Sequence, residues 1–300
     1  MKRPAFLTLL AATTASAAAQ PDPRTGSIRI EKPRPHLTLF AAEERRARCR
    51  LGVCAIDLHD GRRLQRRDDE RFPLASTFKL PLVMAVLSRV DGGIERLDRK
   101  IAFGPADILS VYSPVVAKQP RGGSLTVAEL CAAAIEQSDN SAANLLLGTL
   151  GGPRGVTAYL RGVGDPITRL DRTEPALNSA TPGDPRDTTT PEGMANLLAR
   201  LVREPVLSPA SKATLFGWMR GAVTGLARIR AGVPAGWTVG DKTGTTNTGG
   251  NDVAILWPPT GAPIVLAIYA AEVHASDAER DAAIASVARS VVRTLHQSRR

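Results

Sequence analysis

Four short motifs follow one another along the chain, and together they carry the side chains that covalent acyl chemistry requires. They are Ser76-Thr77-Phe78-Lys79, Ser138-Asp139-Asn140, Glu174-Pro175-Ala176-Leu177-Asn178 and Lys242-Thr243-Gly244. The set contains a serine nucleophile, two lysines, a second serine and a carboxylate, which is the equipment for forming an acyl-enzyme and hydrolysing it. Each motif alone occurs in unrelated sequences, so the prediction of a serine hydrolase rests on all four in order.

The first motif lies at the predicted start of a helix. An apolar run extends from Phe78 to Leu87, with Pro81 near its beginning, where a helix tolerates proline. Ser76 and Lys79 are three residues apart and therefore share one helix face. Backbone N–H groups at a helix N-terminus stabilise the charge that develops on an attacked carbonyl. The alternative is that Ser76 merely caps the helix, a common role for serine.

The second and fourth motifs are predicted to place polar groups in a cleft. Ser138 and Asn140 fall in a short turn between two predicted helices, which is also where a simple capping turn would occur. Lys242 ends a predicted edge strand, where a cation and neighbouring hydroxyls can bind a substrate carboxylate. Gly244 permits close approach of a ligand to the backbone.

The third motif lies in a long segment, 165–191, that is rich in Pro, Thr, Asp and Arg and has little periodicity. A loop of this length within a compact domain is usually functional. Glu174 and Asn178 could hold one water against an acylated serine, with Glu174 as its general base. The alternative is that Glu174 is a solvated loop residue, as most glutamates are.

The elements that must position these motifs follow from the apolar patterns of the chain. Strands are predicted near both ends of the sequence and helices in the middle. The predicted segments are a helix over 37–48, strands over 51–58, 237–243, 252–257 and 264–271, and a helix over 277–296. This order predicts an α/β fold of the α+β type, in which an antiparallel sheet lobe is flanked by N- and C-terminal helices. An all-α lobe is inserted into it, and the active site lies between the lobes.

The four motifs resemble those of the class A serine β-lactamases, and the resemblance extends from about residue 37 to the C-terminus. It implies catalytic roles for Ser76, Lys79, Ser138, Glu174, Asn178 and Lys242. It implies substrate binding by Asn140, Thr243, Gly244 and Thr245, and by Tyr112, for which the alternative is a lone exposed tyrosine. Arg228 is predicted to join them as a substitute for an arginine that the family carries elsewhere. The backbone N–H groups of Ser76 and Thr245 would form the oxyanion hole, and an ion pair between Arg172 and Asp187 would brace the long loop. Whether Lys79 or Glu174 is the base for acylation stays open.

Two positions depart from the family pattern. Some carbapenem-hydrolysing members fix the nucleophile through a cysteine just before it, whereas this chain has Ala75 there and Thr246 on the facing strand. Many members carry a further arginine after the lysine-bearing strand, but residues 247–257 contain none. Arg228 is the nearest substitute, and the alternative is that Arg228 is one of many surface arginines.

Residues 1–19 have the pattern of a secretory signal, because two basic residues precede an apolar run over 5–12 and a small-residue ending of three alanines at 17–19. Cleavage near Ala19 would deliver a periplasmic or secreted protein. The apolar run is too short for an anchor, and no later stretch reaches the roughly 20 uncharged residues of a membrane helix, so no membrane span is predicted. Residues 20–36 are a predicted flexible leader, and 37–300 a catalytic domain with a sheet lobe at about 37–73 and 227–300 and an α lobe at about 74–226.

Composition excludes several other classes. The chain is basic, with a formal net charge of +10, but its arginines are scattered and aromatic residues make up only 4%, so no nucleic-acid partner is predicted. The four histidines are not at metal-ligand spacing, and we predict no metal or other cofactor. The three cysteines leave at least one unpaired, and whether Cys49 and Cys54 pair stays open.

The sequence therefore predicts a monomeric, exported hydrolase whose partner is a small-molecule β-lactam. Two other functions stay open. A penicillin-binding DD-peptidase shares the serine and lysine motifs but has no need of Glu174 with Asn178. A β-lactam receptor would be acylated without turnover, and would be expected to carry membrane spans and to lack the deacylating glutamate.

Overall fold

The computed structural model describes residues 35–297. The predicted signal at 1–19 lies outside the described residues, as does nearly all of the predicted leader. The last two leader residues, 35 and 36, instead begin the first helix, α1. No helix within the described range is long and apolar enough to cross a lipid bilayer.

The strands are numbered in chain order. They are β1 (Arg50–Asp57), β2 (Arg63–Arg66), β3 (Phe72–Pro73), β4 (Lys100–Phe103), β5 (Gly123–Thr126), β6 (Thr188–Thr189), β7 (Thr238–Thr246), β8 (Gly249–Trp257) and β9 (Ile264–Ala271). The helices are α1 (Pro35–Arg46), α2 (Lys79–Asp91), α3 (Val127–Glu136), α4 (Asn140–Thr149), α5 (Pro153–Gly162), α6 (Pro191–Arg203), α7 (Pro209–Arg220), α8 (Ile229–Gly232) and α9 (Asp277–Gln297).

The main sheet has five antiparallel strands in the order β2-β1-β9-β8-β7. The central strand β9 is buried along its whole length, so both of its faces are covered. This explains why its sequence is a continuous apolar run rather than an alternation. The two outer strands are β2 and β7, which confirms the prediction that the Lys242 strand lies at a sheet edge.

The two faces of the sheet pack against different layers. On one face, α1, α8 and α9 enclose a core that includes Phe40, Leu266 and Ile284. On the other face, α2 to α7 share a larger core with side chains such as Phe78, Val265 and Tyr269. Burying each such aliphatic or aromatic side chain contributes on the order of 1.5–3 kcal/mol, so both layers stabilise the sheet.

The helical region between β3 and β7 confirms the predicted insertion, and it also contains three short strands. β4 pairs with β5, and β6 pairs with β3, in separate two-stranded sheets. Strands of two to four residues are too short to leave a period in the sequence, which is why the prediction contained no strands there.

Side-chain caps fix where the helices of this region begin. Asp139 accepts a hydrogen bond from the backbone of Ala142 and so starts α4. Thr190 caps α6 in the same way, through the backbone of Gly193. Each cap satisfies an N–H group that has no partner within its helix. Because Asp139 is the N-cap residue of α4, the hydroxyl of Ser138 is not used for capping and is available for other contacts.

Candidate active site

Ser76 lies in a 3-10 turn, Ala75–Phe78, that leads directly into α2. Leu74 and Phe78 are the capping residues of the turn and the helix, so Ser76 caps neither. β7 runs close beside this turn, since a Cβ on Gly244 would lie 2.9 Å from the Leu74 carbonyl oxygen and 3.2 Å from the Ser76 backbone nitrogen. Glycine at 244 thus allows the edge strand to approach the Ser76 N–H, as an oxyanion hole shared with Thr245 requires.

Lys79 is completely buried beneath Ser76. Its Nζ donates to Ser76 Oγ at 2.9 Å, to the Ser138 carbonyl at 2.8 Å and to Asn140 Oδ1 at 2.5 Å. Burial lowers the pKa of Lys79 to about 8, while the nearby charge of Glu174 opposes that shift. The amine can therefore exchange a proton near neutral pH, next to the serine hydroxyl.

Glu174 lies on the other side of Lys79. Its Oε1 is 3.4 Å from Lys79 Nζ, a distance that makes an ion pair but leaves Oε1 without an aligned hydrogen bond. Glu174 Oε2 accepts from Asn178 Nδ2 at 2.6 Å. Asn144 fixes the backbone on both sides, because its amide accepts from the Glu174 N–H at 3.0 Å and donates to the Glu174 carbonyl at 2.9 Å.

Ser138 connects the two lysines of the site. Its Oγ accepts from Lys242 Nζ at 3.0 Å and lies 3.3 Å from Lys79 Nζ. Burial lowers the pKa of Lys242 well below its ordinary value, and the positive charge of Lys79 adds to that effect. A hydroxyl between two lysines has a short route for moving a proton in either direction.

The far end of the cleft contains cationic and hydroxyl groups. Thr243 shares a hydrogen bond of 2.8 Å with Thr224, and Arg228 donates through Nη2 to Thr245 Oγ1 at 2.9 Å. Arg228 is only 6% exposed, so the alternative that it is a surface arginine is wrong. Its guanidinium also donates to the carbonyls of Gly244 and Asn251, both at 2.9 Å.

Asn140 and Tyr112 lie along the opposite wall. Asn140 is buried, and its Nδ2 donates to the Val111 carbonyl at 3.0 Å. Tyr112 is 57% exposed, and its carbonyl accepts from the Asn140 N–H at 3.0 Å. The cleft between these walls has a volume of about 840 Å³ and is lined by Ser76, Tyr112, Ser138, Asn140, Asn178, Arg228, Thr243, Gly244 and Thr245, among others.

The loop that carries Glu174 is closed by the ion pair predicted for it. Arg172 Nε donates to Asp187 Oδ2 at 2.5 Å. The other oxygen of Asp187 accepts from the backbone N–H groups of Asp171 and Arg172, at 2.7 and 2.9 Å. Asp187 is fully buried, so the two ends of this loop are held together inside the protein.

Comparison with known proteins agrees with this geometry. Residues 38–295 match the model of the β-lactamase enzyme family. The ancestral (GNCA) β-lactamase of class A is 53% identical, with a TM-score of 0.84 over 86% of this chain and 99% of that chain. A β-lactamase from Xanthomonas campestris pv. campestris is 46% identical, with a TM-score of 0.83 over 87% of this chain and 97% of that chain.

This chain belongs to the class A β-lactamases. It is therefore a serine hydrolase, and the prediction of that enzyme class is confirmed. The fold prediction is confirmed as well, with the five-stranded antiparallel sheet, its flanking helices and the helical region in the expected order.

Sequence reasoning missed several residues that hold this β-lactamase site in place. Asn144 is four residues after Asn140 on α4, so helix periodicity could have placed it on the same face. Thr224 has no comparable signal, because it meets Thr243 only through the tertiary fold. The same is true of Asp281, whose Oδ1 accepts from Arg228 Nε at 2.9 Å.

The remaining predictions concern cysteines and metals. Cys49, Cys54 and Cys131 are all free thiols, so the question left open for Cys49 and Cys54 has the answer that they do not pair. Within residues 35–297, no three His, Cys, Asp or Glu side chains form a group that could hold a metal ion. The absence of a metal or other cofactor stays a prediction.

Proposed function

We propose that this β-lactamase hydrolyses penicillins and cephalosporins through an acyl-enzyme on Ser76 that Glu174 helps to hydrolyse. We further propose that it acts as a monomer outside the cytoplasm after removal of residues 1–19, and so confers antibiotic resistance. The observation that carries the proposal is the placement of a carboxylate, Glu174, and an amide, Asn178, within reach of the lysine that contacts the nucleophile.

Acylation begins with attack of Ser76 Oγ on the lactam carbonyl carbon. The hydroxyl proton leaves to a base, which is Lys79 directly or Glu174 through a water. The N–H groups of Ser76 and Thr245 bind the oxyanion. When the C–N bond of the ring breaks, the nitrogen takes a proton from Ser138, and Ser138 regains one from a neighbouring lysine. The product is an ester between Ser76 and the opened ring.

Deacylation needs a water molecule on the Glu174 side of the ester. Glu174 Oε1 and Asn178 Oδ1 are both buried acceptors to which no described group donates an aligned hydrogen bond. Together they suit the two hydrogens of one water. Glu174 takes a proton from this water as its oxygen attacks the ester carbonyl. When the bond to Ser76 Oγ breaks, that proton passes from Glu174 to Ser76, directly or through Lys79, and the enzyme is regenerated.

The groups at the far end of the cleft suit the carboxylate that β-lactams carry beside the ring. Lys242 supplies an ammonium, and Thr243 and Thr245 supply hydroxyls, with Arg228 directly behind Thr245. On the opposite wall, the amide of Asn140 is placed for the side-chain amide of the substrate. A DD-peptidase or a receptor without turnover would use the same acylation groups, but neither accounts for Glu174 and Asn178.

Hydrolysis of a chromogenic cephalosporin by the purified protein tests this function directly. Wild type is expected to turn over the substrate many times per active site, and Ser76→Ala to lose several orders of magnitude in rate, as removal of a covalent nucleophile does. Intact mass spectra with a slow substrate should show an adduct on wild type only. An adduct on Ser76→Ala would mean that another residue is the nucleophile, and a single turnover by wild type would favour the receptor.

A further inference from the structure

Two fully buried carboxyls, Asp241 and Asp252, lie behind the carboxylate-binding end of the cleft. Thr243 pairs directly with Asp252 across β7 and β8, so these two side chains share one face of the sheet. Asp241 is two residues before Thr243 and lies on that same face, diagonally opposite Asp252. The two carboxyls also face one point, since a Cβ on Gly225 would lie 3.1 Å from Asp241 Oδ2 and 3.7 Å from Asp252 Oδ2.

The donors around the two carboxyls are unequal. Asp241 Oδ1 accepts from Arg230 Nε at 2.6 Å, which places a guanidinium on this carboxyl. Within residues 35–297, the one donor to Asp252 Oδ2 is the backbone N–H of Ile229, at 3.0 Å. Each carboxyl keeps one further buried oxygen to which no described group donates. Two ionised carboxylates on neighbouring strands would repel each other in this buried site, whereas a proton shared between them would supply the missing donor.

We propose that Asp241 and Asp252 share one proton and act as a single monoanionic pair that positions Arg228 and Thr243 for binding the substrate carboxylate. The proton is on Asp252, because Arg230 stabilises the ionised form of Asp241. Their surroundings agree, since burial and the charge of Asp241 raise the pKa of Asp252 well above its ordinary value. The pair deepens the proposed function and rests on it only for the identity of the substrate.

The pair acts through the segment 224–230. Two hydrogen bonds attach this segment to the pair, directly after Arg228. The Arg230 side chain donates to Asp241, and the Ile229 N–H donates to Asp252. The segment also packs closely on β7, since a Cβ on Gly225 would lie 2.3 Å from Thr243 Cγ2 and 3.1 Å from Asp241 Oδ2. Loss of either attachment would therefore loosen Arg228 and the contact with Thr243 together.

Charge balance explains why one proton is required. With a single negative charge, the pair is neutralised by Arg230, and the charge of Lys242 stays available to an anionic substrate. A second negative charge behind Thr243 would weaken the attraction of the site for a carboxylate. The other charged or titratable groups near the pair are Arg228 beside α8, Lys242 on β7, Tyr269 on β9, and Arg280 and Asp281 on α9.

Infrared spectroscopy tests the shared proton without any dependence on activity. Wild type at pH 7, compared with protein labelled with carbon-13 aspartate, is expected to show the carbonyl stretch of one protonated aspartic acid, which disappears as the pH is raised. Asp252→Asn should lack this band, and the exposed control Asp98→Asn should retain it. A wild-type spectrum without an Asp252-dependent band would overturn the proposal, whatever the enzyme hydrolyses.

Penicillin kinetics test the positioning role. An asparagine at 252 can donate to Asp241 and accept from Ile229, as the protonated acid does, whereas an alanine can do neither. We expect Asp252→Ala to raise KM about tenfold with a smaller change in kcat, since one buried hydrogen bond to a charged group is lost. Asp252→Asn should recover most of that loss. If Asp252→Asn raises KM as much as Asp252→Ala, or if Asp252→Ala leaves KM unchanged, the pair does not position the site.

Discussion

At the scale of single residues, the site is a chain of lysine, hydroxyl and carboxyl groups within hydrogen-bond or ion-pair distance of one another. Lys79 lies between Ser76 and Glu174, and Ser138 lies between Lys79 and Lys242. Burial lowers the pKa of both lysines, to about 8 for Lys79, so that Lys79 can release a proton near neutral pH. The motifs could be found in the sequence because each role needs a particular residue type.

Substitution of Glu174 distinguishes most sharply between the three candidate functions, hydrolase, DD-peptidase and receptor. Glu174→Ala removes the base for deacylation and leaves Ser76 in place, so the variant should be acylated by penicillin and release the product about 10²- to 10⁴-fold more slowly, the usual range for loss of a general base. Mass spectrometry during turnover should then show the acyl-enzyme accumulating. Glu204→Ala, at an exposed glutamate, is the control. Unchanged steady-state turnover in Glu174→Ala would remove the main reason for assigning hydrolysis.

Arg228 is predicted to affect both binding and stability. Arg228→Ala should raise KM for penicillins and weaken inactivation by clavulanate-type inhibitors, by about 1–3 kcal/mol for a lost charge-assisted hydrogen bond. Its burial adds a second effect, because Asp281 and two carbonyls lose their donor, so the melting temperature should fall as well.

Two further variants separate these contributions of Arg228. Arg228→Lys keeps the positive charge but lacks the forked geometry of a guanidinium. Its KM should therefore lie between those of wild type and Arg228→Ala. Arg121→Ala, at an exposed arginine, should change neither KM nor the melting temperature. Kinetics of Arg228→Ala within about twofold of wild type would leave Arg228 with a purely structural role.

At the scale of elements, strong local patterns were predictable and long-range contacts were not. The apolar run of β9 predicts its observed bounds, and the pattern of α9 predicts it to within one residue. Arg228 could be placed near β7 from the intervening turn, but its partner Asp281 is 53 residues away and left no signal. Pairs such as Asp241 and Asp252 depend on strand register, which a single sequence does not determine.

The loop that carries Glu174 is predicted to depend on its buried brace. Asp187→Asn keeps an acceptor for the backbone of Asp171 and Arg172 but removes the charge that binds the Arg172 guanidinium. We expect deacylation to slow more than acylation, because Glu174 lies in this loop and Ser76 does not. Pre-steady-state kinetics with a penicillin would resolve the two steps.

A matched variant in the same loop provides the control for Asp187. Arg186 is 55% exposed and pairs with Asp184, so Arg186→Gln should leave both steps within about twofold of wild type, as expected for an exposed ion pair. Equal slowing of acylation and deacylation in Asp187→Asn would show that the brace supports the whole cleft rather than the Glu174 loop.

At the scale of the whole molecule, stability comes from two hydrophobic layers on opposite faces of the sheet, with no disulfide. Cys54 is part of the layer that faces α2 to α7, whereas Cys49 packs against the layer beneath α1 and α9. The two thiols therefore lie on different faces of the sheet, although they are five residues apart. Burial raises the pKa of Cys49 to about 11 and that of Cys54 to about 12.

This arrangement predicts how the native protein responds to thiol reagents. Because the thiolate is the reactive form and burial disfavours it, native Cys54 and Cys131 should not react at pH 8, and the half-buried Cys49 should react more slowly than a free thiol. All three should react once the chain is unfolded in guanidinium. The melting temperature should be the same with and without dithiothreitol, and Cys49→Ser should remove the slow native reaction. A fall of several degrees on reduction, with a single reactive thiol in the unfolded oxidised chain, would instead show that Cys49 and Cys54 pair and that a covalent link adds to the two layers.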